Sequence, residues 1–111
     1  MGKQMMKQEK YNDYLQILKE ELVPAMGCTE PIAIAYAAAK AREVLGKMPD
    51  KVVAKCSGNI IKNAMCVTVP NTGDLVGIKA SSIIGVLAGD SSKELQVISE
   101  VGEEHINEAN K

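Results

Sequence analysis

The chain has no phenylalanine, no tryptophan and only three tyrosines, Tyr11, Tyr14 and Tyr36. That scarcity excludes base-stacking platforms for nucleic acid and aromatic-lined peptide grooves. Charge points the same way. Thirteen Lys and Arg stand against 14 Asp and Glu, a formal net charge of −1, which is no electrostatic footprint for nucleic acid or an anionic membrane. No apolar run approaches the roughly 18–20 residues of a membrane span, and Met1–Lys10 holds none that could centre a signal peptide. The single histidine, His105, stands among Glu103, Glu104 and Glu108, where a solvated surface residue is expected and no Cys–His pair is indicated. The three cysteines, Cys28, Cys56 and Cys66, are odd in number and lack C-x₂-C spacing. They fit a reducing, cytoplasmic compartment better than a disulfide framework or a zinc ribbon. GxGxxG, Walker and GxSxG patterns are absent.

What remains is a chain of 111 residues, 46% hydrophobic, long enough for one domain over 1–111. Its core must be built from Ala, Val, Ile, Leu and Met, with glycines allowing close backbone contact. Such a core is thin, so packing against further protein, or self-association, would support it.

Hydrophobic spacing gives an α+β fold that is predominantly helical, with four to five helices and one or two short strands around residues 51–69. Tyr11, Tyr14, Leu15, Leu18 and Leu22 recur at three- and four-residue steps, an amphipathic helix starting near Asn12 or Asp13 and stopped by Pro24. Thr29 is a good N-cap, Glu30 and Pro31 suit a first turn, and Ile32–Ala39 is apolar all round, the pattern of a buried helix ending at Gly46. Lys51–Cys56 has β-branched residues at a rough period of two and reads as a strand. Ile60–Met65 fits one or two helical turns, and Cys66–Val69 a second short strand, although short apolar runs do not separate the two states. Leu75–Ala88 fits a buried helix with Gly77 and Gly85 as close-packing points. Ser91-x-x-Glu94 is a capping-box pattern for the next helix, and Gly102-Glu103-Glu104 opens a polar terminal one. That segment reaches Lys111 with no turn or cap, which leads to the expectation of an N-terminal portion of a larger protein.

Chemistry concentrates at Cys28. A helix mouth offers unpaired N–H groups and partial positive charge, so Cys28 is expected to ionise easily, whether to bind metal, attack a substrate or take a proton. Cys56 and Cys66 are expected to be packing residues. Ser57-Gly58-Asn59 with Lys62-Asn63, and Asn71-Thr72-Gly73, are polar turns that read either as plain turns or as an anion or amino-acid carboxylate site. Ser57, Asn59, Lys62, Asn63, Asn71 and Thr72 are the candidate substrate residues.

Pro24-Ala-Met-Gly-Cys-Thr-Glu-Pro31, Ser57-Gly-Asn-Ile-Ile-Lys-Asn-Ala-Met65 and Val69-Pro-Asn-Thr-Gly73 together resemble, in order, the N-terminal part of the L-cysteine desulfidase family. That family is related to the α chain of iron–sulfur-dependent L-serine dehydratases. The resemblance implies a lyase of amino-acid catabolism acting on L-cysteine or L-serine and releasing pyruvate, ammonia and sulfide or water. It implies a [4Fe–4S] cluster with Cys28 as one iron ligand and as the α-proton base. The family's other cluster cysteines have no counterpart here, so a missing C-terminal region or partner subunit is implied, and the chain alone is expected to be inactive. The rival reading is a non-catalytic helical module that packs on a partner through its Ala-rich helix.

Overall fold

The computed structural model describes residues 7–111; residues 1–6, part of the polar start in which no signal peptide is expected, lie outside them. The described residues form α1 (Gln8–Glu21), α2 (Thr29–Leu45), α3 (Gly58–Ala64), α4 (Gly77–Ala88), a 3₁₀ segment (Ser91–Gln96) and α5 (Glu103–Ala109). The predominantly helical fold class is borne out. Of the two expected strands, Cys66–Val69 shrinks to one antiparallel bridge, Thr68 to Val76, flanked by Val69 N–H to Leu75 O (2.7 Å) and Gly77 N–H to Val67 O (3.1 Å). Lys51–Cys56 forms no strand, because among the described residues no segment pairs its backbone with it.

α2 and α4 make the body of the fold. Ile32, Ala35 and Ala39 on α2 are buried with Ile84 of α4, and Val69, Val97 and Ile98 close the cluster. With no aromatic side chain in that cluster, density comes from backbone proximity. A Cβ built on Gly85 would lie 2.7 Å from Ala35 Cα, and one on Gly89 would lie 2.6 Å from Ala39 Cβ. Gly85 therefore is the close-packing point expected of it. Gly77 adopts φ 94°, and a Cβ there would stand 3.0 Å from Met65 O, so it also has a positional reason to be glycine. Ser81 and Ser82 are buried in α4 and donate to Gly77 O (2.8 Å) and Ile78 O (2.9 Å), which satisfies them inside their own helix.

Helix ends follow local chemistry with small shifts. Gly46 closes α2 in the left-handed region at φ 79°, its N–H reaching Arg42 O. α1 begins at Gln8, four residues before Asn12, extended by Gln8–Asn12 side-chain pairing at one helical turn. The segment after α4 is capped one residue earlier than the capping-box pattern implied. Asp90 Oδ1 accepts from Ser92 N–H and Ser92 Oγ, and a 3₁₀ segment results, broken at Glu94. His105 is half-buried, its Nδ1 accepting from Gly102 N–H at 3.0 Å, so it fastens the start of α5 rather than standing free in solvent.

α1 stands apart. No residue of it is buried and it packs against no other element. The radius of gyration, 18.0 Å, exceeds the value of about 13 Å for a compact chain of this length, and the long dimension is 63 Å against 29 and 27 Å.

Candidate functional site

The turn between α1 and α2 ends at Cys28, which takes the N-cap position itself, with Thr29 as the first helical residue. Gly27 lies against the Pro70 ring, where a Cβ would come within 3.0 Å of Pro70 Cγ. This contact seats the Cys28 turn beside the turn at residues 70–73. On the other side Asn63 Nδ2 donates to Glu30 Oε1 at 3.4 Å, joining α3 to the mouth of α2. Two of the polar stretches singled out in the sequence therefore do meet the Cys28 turn.

The closest contact there is Cys28 Sγ donating to Glu30 Oε2 at 3.1 Å. It reverses the expected ionisation. The hydrogen bond to the Glu30 carboxylate raises the Cys28 pKa above the ordinary cysteine value, outweighing the Glu30 backbone N–H that lowers it; burial and the Glu30 charge add to the rise. The same hydrogen bond from Cys28 is the main cause lowering the Glu30 pKa, helped by its own backbone N–H and by Asn63. A helix mouth stabilises any anion near it, and here the carboxylate takes that place and leaves the thiol as donor.

The pH dependence of the contact follows. It is complete where the thiol is protonated and the carboxylate ionised. It is lost as pH rises through the raised Cys28 pKa, and lost as pH falls through the lowered Glu30 pKa. Glu30→Gln is expected to speed alkylation of Cys28 by iodoacetamide several-fold at pH 8, with its pH midpoint moved downward. An unchanged midpoint would show that Glu30 does not govern the thiol.

The remaining candidates separate into two groups. Ser57 is the N-cap of α3, its Oγ accepting from Ile60 N–H at 3.4 Å, and Asn59 and Lys62 ride on the same short helix as Asn63. Asn71 and Thr72 are taken up by backbone carbonyls instead, Asn71 from an exposed position and Thr72 from a buried one. Asn71 Nδ2 donates to Ile98 O (3.0 Å) and Ser99 O (3.1 Å), while buried Thr72 donates from Oγ1 to Val69 O at 2.6 Å. All three cysteines are free. Cys56 and Ser57 line a cavity of about 390 Å³ between α2, α3 and residues 52–57. Among the described residues, no three His, Cys, Asp or Glu side chains gather so as to hold a metal ion.

Two residues escaped sequence reasoning. Glu30 reads as an ordinary first-turn acid, yet it is the hub of the Cys28 corner. Arg42 reads as the return of α2 to solvent. Its guanidinium instead donates to Val86 O and Gly89 O, both at 2.7 Å, and so caps the end of α4 from the neighbouring helix.

The chain is 56% identical over 97 residues to a UPF0597 protein of Treponema denticola, covering 87% of this chain and 22% of the relative. It is 58% identical over 98 residues to a UPF0597 protein of Lachnoclostridium phytofermentans (88% and 24%). A UPF0597 protein of Desulfitobacterium hafniense is 66% identical over 91 residues (82% and 21%). No family model matches the chain, and no solved structure does. These relatives correct the resemblance drawn from the three motifs: their names are those of UPF0597 proteins and carry no link to L-cysteine desulfidase or L-serine dehydratase. The lyase function and the iron–sulfur chemistry attached to that resemblance are withdrawn with it. The rival reading of a helical module gains no specific support: one face of the Ala-rich helix is engaged against α4, while Ala33 and Ala37 stay exposed. What stands is a similarity, over more than four-fifths of this chain, to a stretch spanning 21–24% of those UPF0597 proteins, whose name states no activity.

Proposed function

We propose that the chain serves as one structural segment of a longer polypeptide, held together by the α2–α4 pair and docked to the rest through the apolar stripe of α1. α1 itself carries this reading. Tyr11, Tyr14, Leu15 and Leu18 keep helical spacing on one side, yet all are exposed, Tyr14 by 52%, while Leu22, expected on the same stripe, is the extended residue after the helix. An isolated helix of 14 residues is marginal in water, and an apolar stripe of this kind stabilises a helix only when it is covered. The length of the relatives supports a cover from the same longer polypeptide, since more than three-quarters of it lies outside the match. Within that assembly the Cys28–Glu30–Asn63 corner, with Ser57, Asn59 and Lys62 at the cap and along the helix that carries Asn63, is the surface we assign to a small amino-acid-like ligand. Free cysteines support the cytoplasm as its compartment, and no helix among the described residues is long and apolar enough to cross a membrane.

The test uses the Desulfitobacterium hafniense relative with this chain in place of its matching stretch. Leu15→Asp combined with Leu18→Asp is expected to lower the Tm of that chimera by about 10 °C, from the burial lost at two leucines. The same pair should leave the isolated chain within about 2 °C. No change in either protein would remove α1 as a docking element.

A further inference from the structure

Residues 47–56 take part in no backbone–backbone hydrogen bond, although Gly46 N–H and Ser57 O on either side both do. Most other described residues find such partners in helices, turns and one bridge; the shorter turn at 23–27 also lacks them, but it holds Pro24 and Gly27 and has no strand character. Within residues 47–56 lies Lys51-Val-Val-Ala-Lys-Cys56, the run with the strongest strand character in the sequence. Val53 is 67% exposed and Val52 43%. Unpaired backbone beside exposed β-branched residues is a template for an incoming strand.

The surroundings favour the same occupant. The stretch borders two cavities, one of 390 Å³ backed by Ala33, Ala37 and Ile60 and one of about 520 Å³ backed by Ile78 and Ile83 of α4. Val52 and Ala54 border both. An added strand presents side chains to alternate faces. Its backbone would pair with residues 51–56 while every second residue placed an apolar side chain in a cavity already lined by aliphatic groups. The described residues offer no free strand for this purpose, and the relatives are at least four times the length of the match.

We infer that residues 51–56 are one strand of a β-ladder whose other strand is an extended, alternately apolar segment of the longer polypeptide. This rests on the reading of the chain as a segment of a larger protein, and it names a second contact, distinct from α1.

Amide hydrogen exchange on the isolated chain and on the Desulfitobacterium hafniense chimera tests it. In the chimera, exchange at 51–56 should slow by roughly 100-fold relative to the isolated chain. Val53→Pro and Ala54→Pro remove N–H groups that point to opposite edges of a strand, so one of the two should abolish that protection while Val53→Thr keeps it. Both prolines should leave the isolated chain's Tm within about 2 °C, since neither N–H is bonded there. Protection of α1 with fast exchange at 51–56 overturns strand addition and leaves the assembly reading intact. Exposure of α1 as well overturns both. Concentration-dependent protection of 51–56 in the isolated chain makes a second copy the occupant and overturns the one named. If the chimera does not fold, the corresponding residues of the unaltered relative are measured against the same criteria.

Discussion

Gly85→Ala lowers the stability of the chain by about 2–3 kcal/mol, read as a fall in Tm of roughly 10–20 °C. The expectation runs against helix propensity, which favours alanine over glycine in a helix interior by up to about 1 kcal/mol. Sterics decide. The new methyl group would sit 2.7 Å from Ala35 Cα and 2.8 Å from Ala35 C, and backbone atoms cannot rotate aside as a side chain does. α2 and α4 must separate by something on the order of 1 Å, which weakens dispersion across the whole Ile32–Ala39–Ile84 contact. Gly58→Ala is the control. It has no atom within 4 Å of the added Cβ and no positive φ, so its Tm should hold or rise slightly. An unchanged Tm for Gly85→Ala would mean that the two helices are not packed as closely as described.

Arg42→Met removes about 2–3 kcal/mol through a different mechanism. The methionine keeps most of the apolar stem, so the burial of the aliphatic chain at this half-buried position is largely retained. What disappears are two charge-assisted hydrogen bonds to Val86 O and Gly89 O, a class worth about 1.5–3 kcal/mol each when exposed water cannot replace them fully. Partial water access at this site trims the sum. Lys at 42 should recover only part of the loss, because an ammonium reaches one carbonyl well and a guanidinium spans two. Equal stability of Arg42→Met and the parent chain, by urea denaturation, would dismiss the cap.

These two residues illustrate what could be read before the fold was known. Gly85 was legible because a glycine inside an apolar helical run has few reasons to be there other than close approach. The same logic located Gly46, whose left-handed conformation ends α2, and Pro24, beyond the end of α1. Arg42 was not legible. Its partners lie 44 and 47 residues away, and an arginine near a helix end looks alike whether it meets solvent or a neighbour's carbonyls. Cys28 failed for a subtler reason. The residue does sit at a helix mouth, but a carboxylate two residues on competes for the same field, and only the geometry shows Sγ donating to Glu30. Lys51–Cys56 failed as a strand because strand character needs a second strand to express it.

The pairing of α2 with α4 has a consequence in time as well as in space. The two helices are separated by residues 46–76, so during vectorial synthesis α2 emerges long before its partner. Between Leu45 and Ala88, translation at about 5–20 residues per second takes about 2–9 s. For that interval Ile32, Ala35 and Ala39 lack Ile84, Val97 and Ile98 and have only α3 and Val69 of their cluster at hand, and a nascent-chain chaperone that grips short aliphatic faces would find its opportunity there. Slower decoding of the 46–76 stretch would lengthen the exposure in proportion.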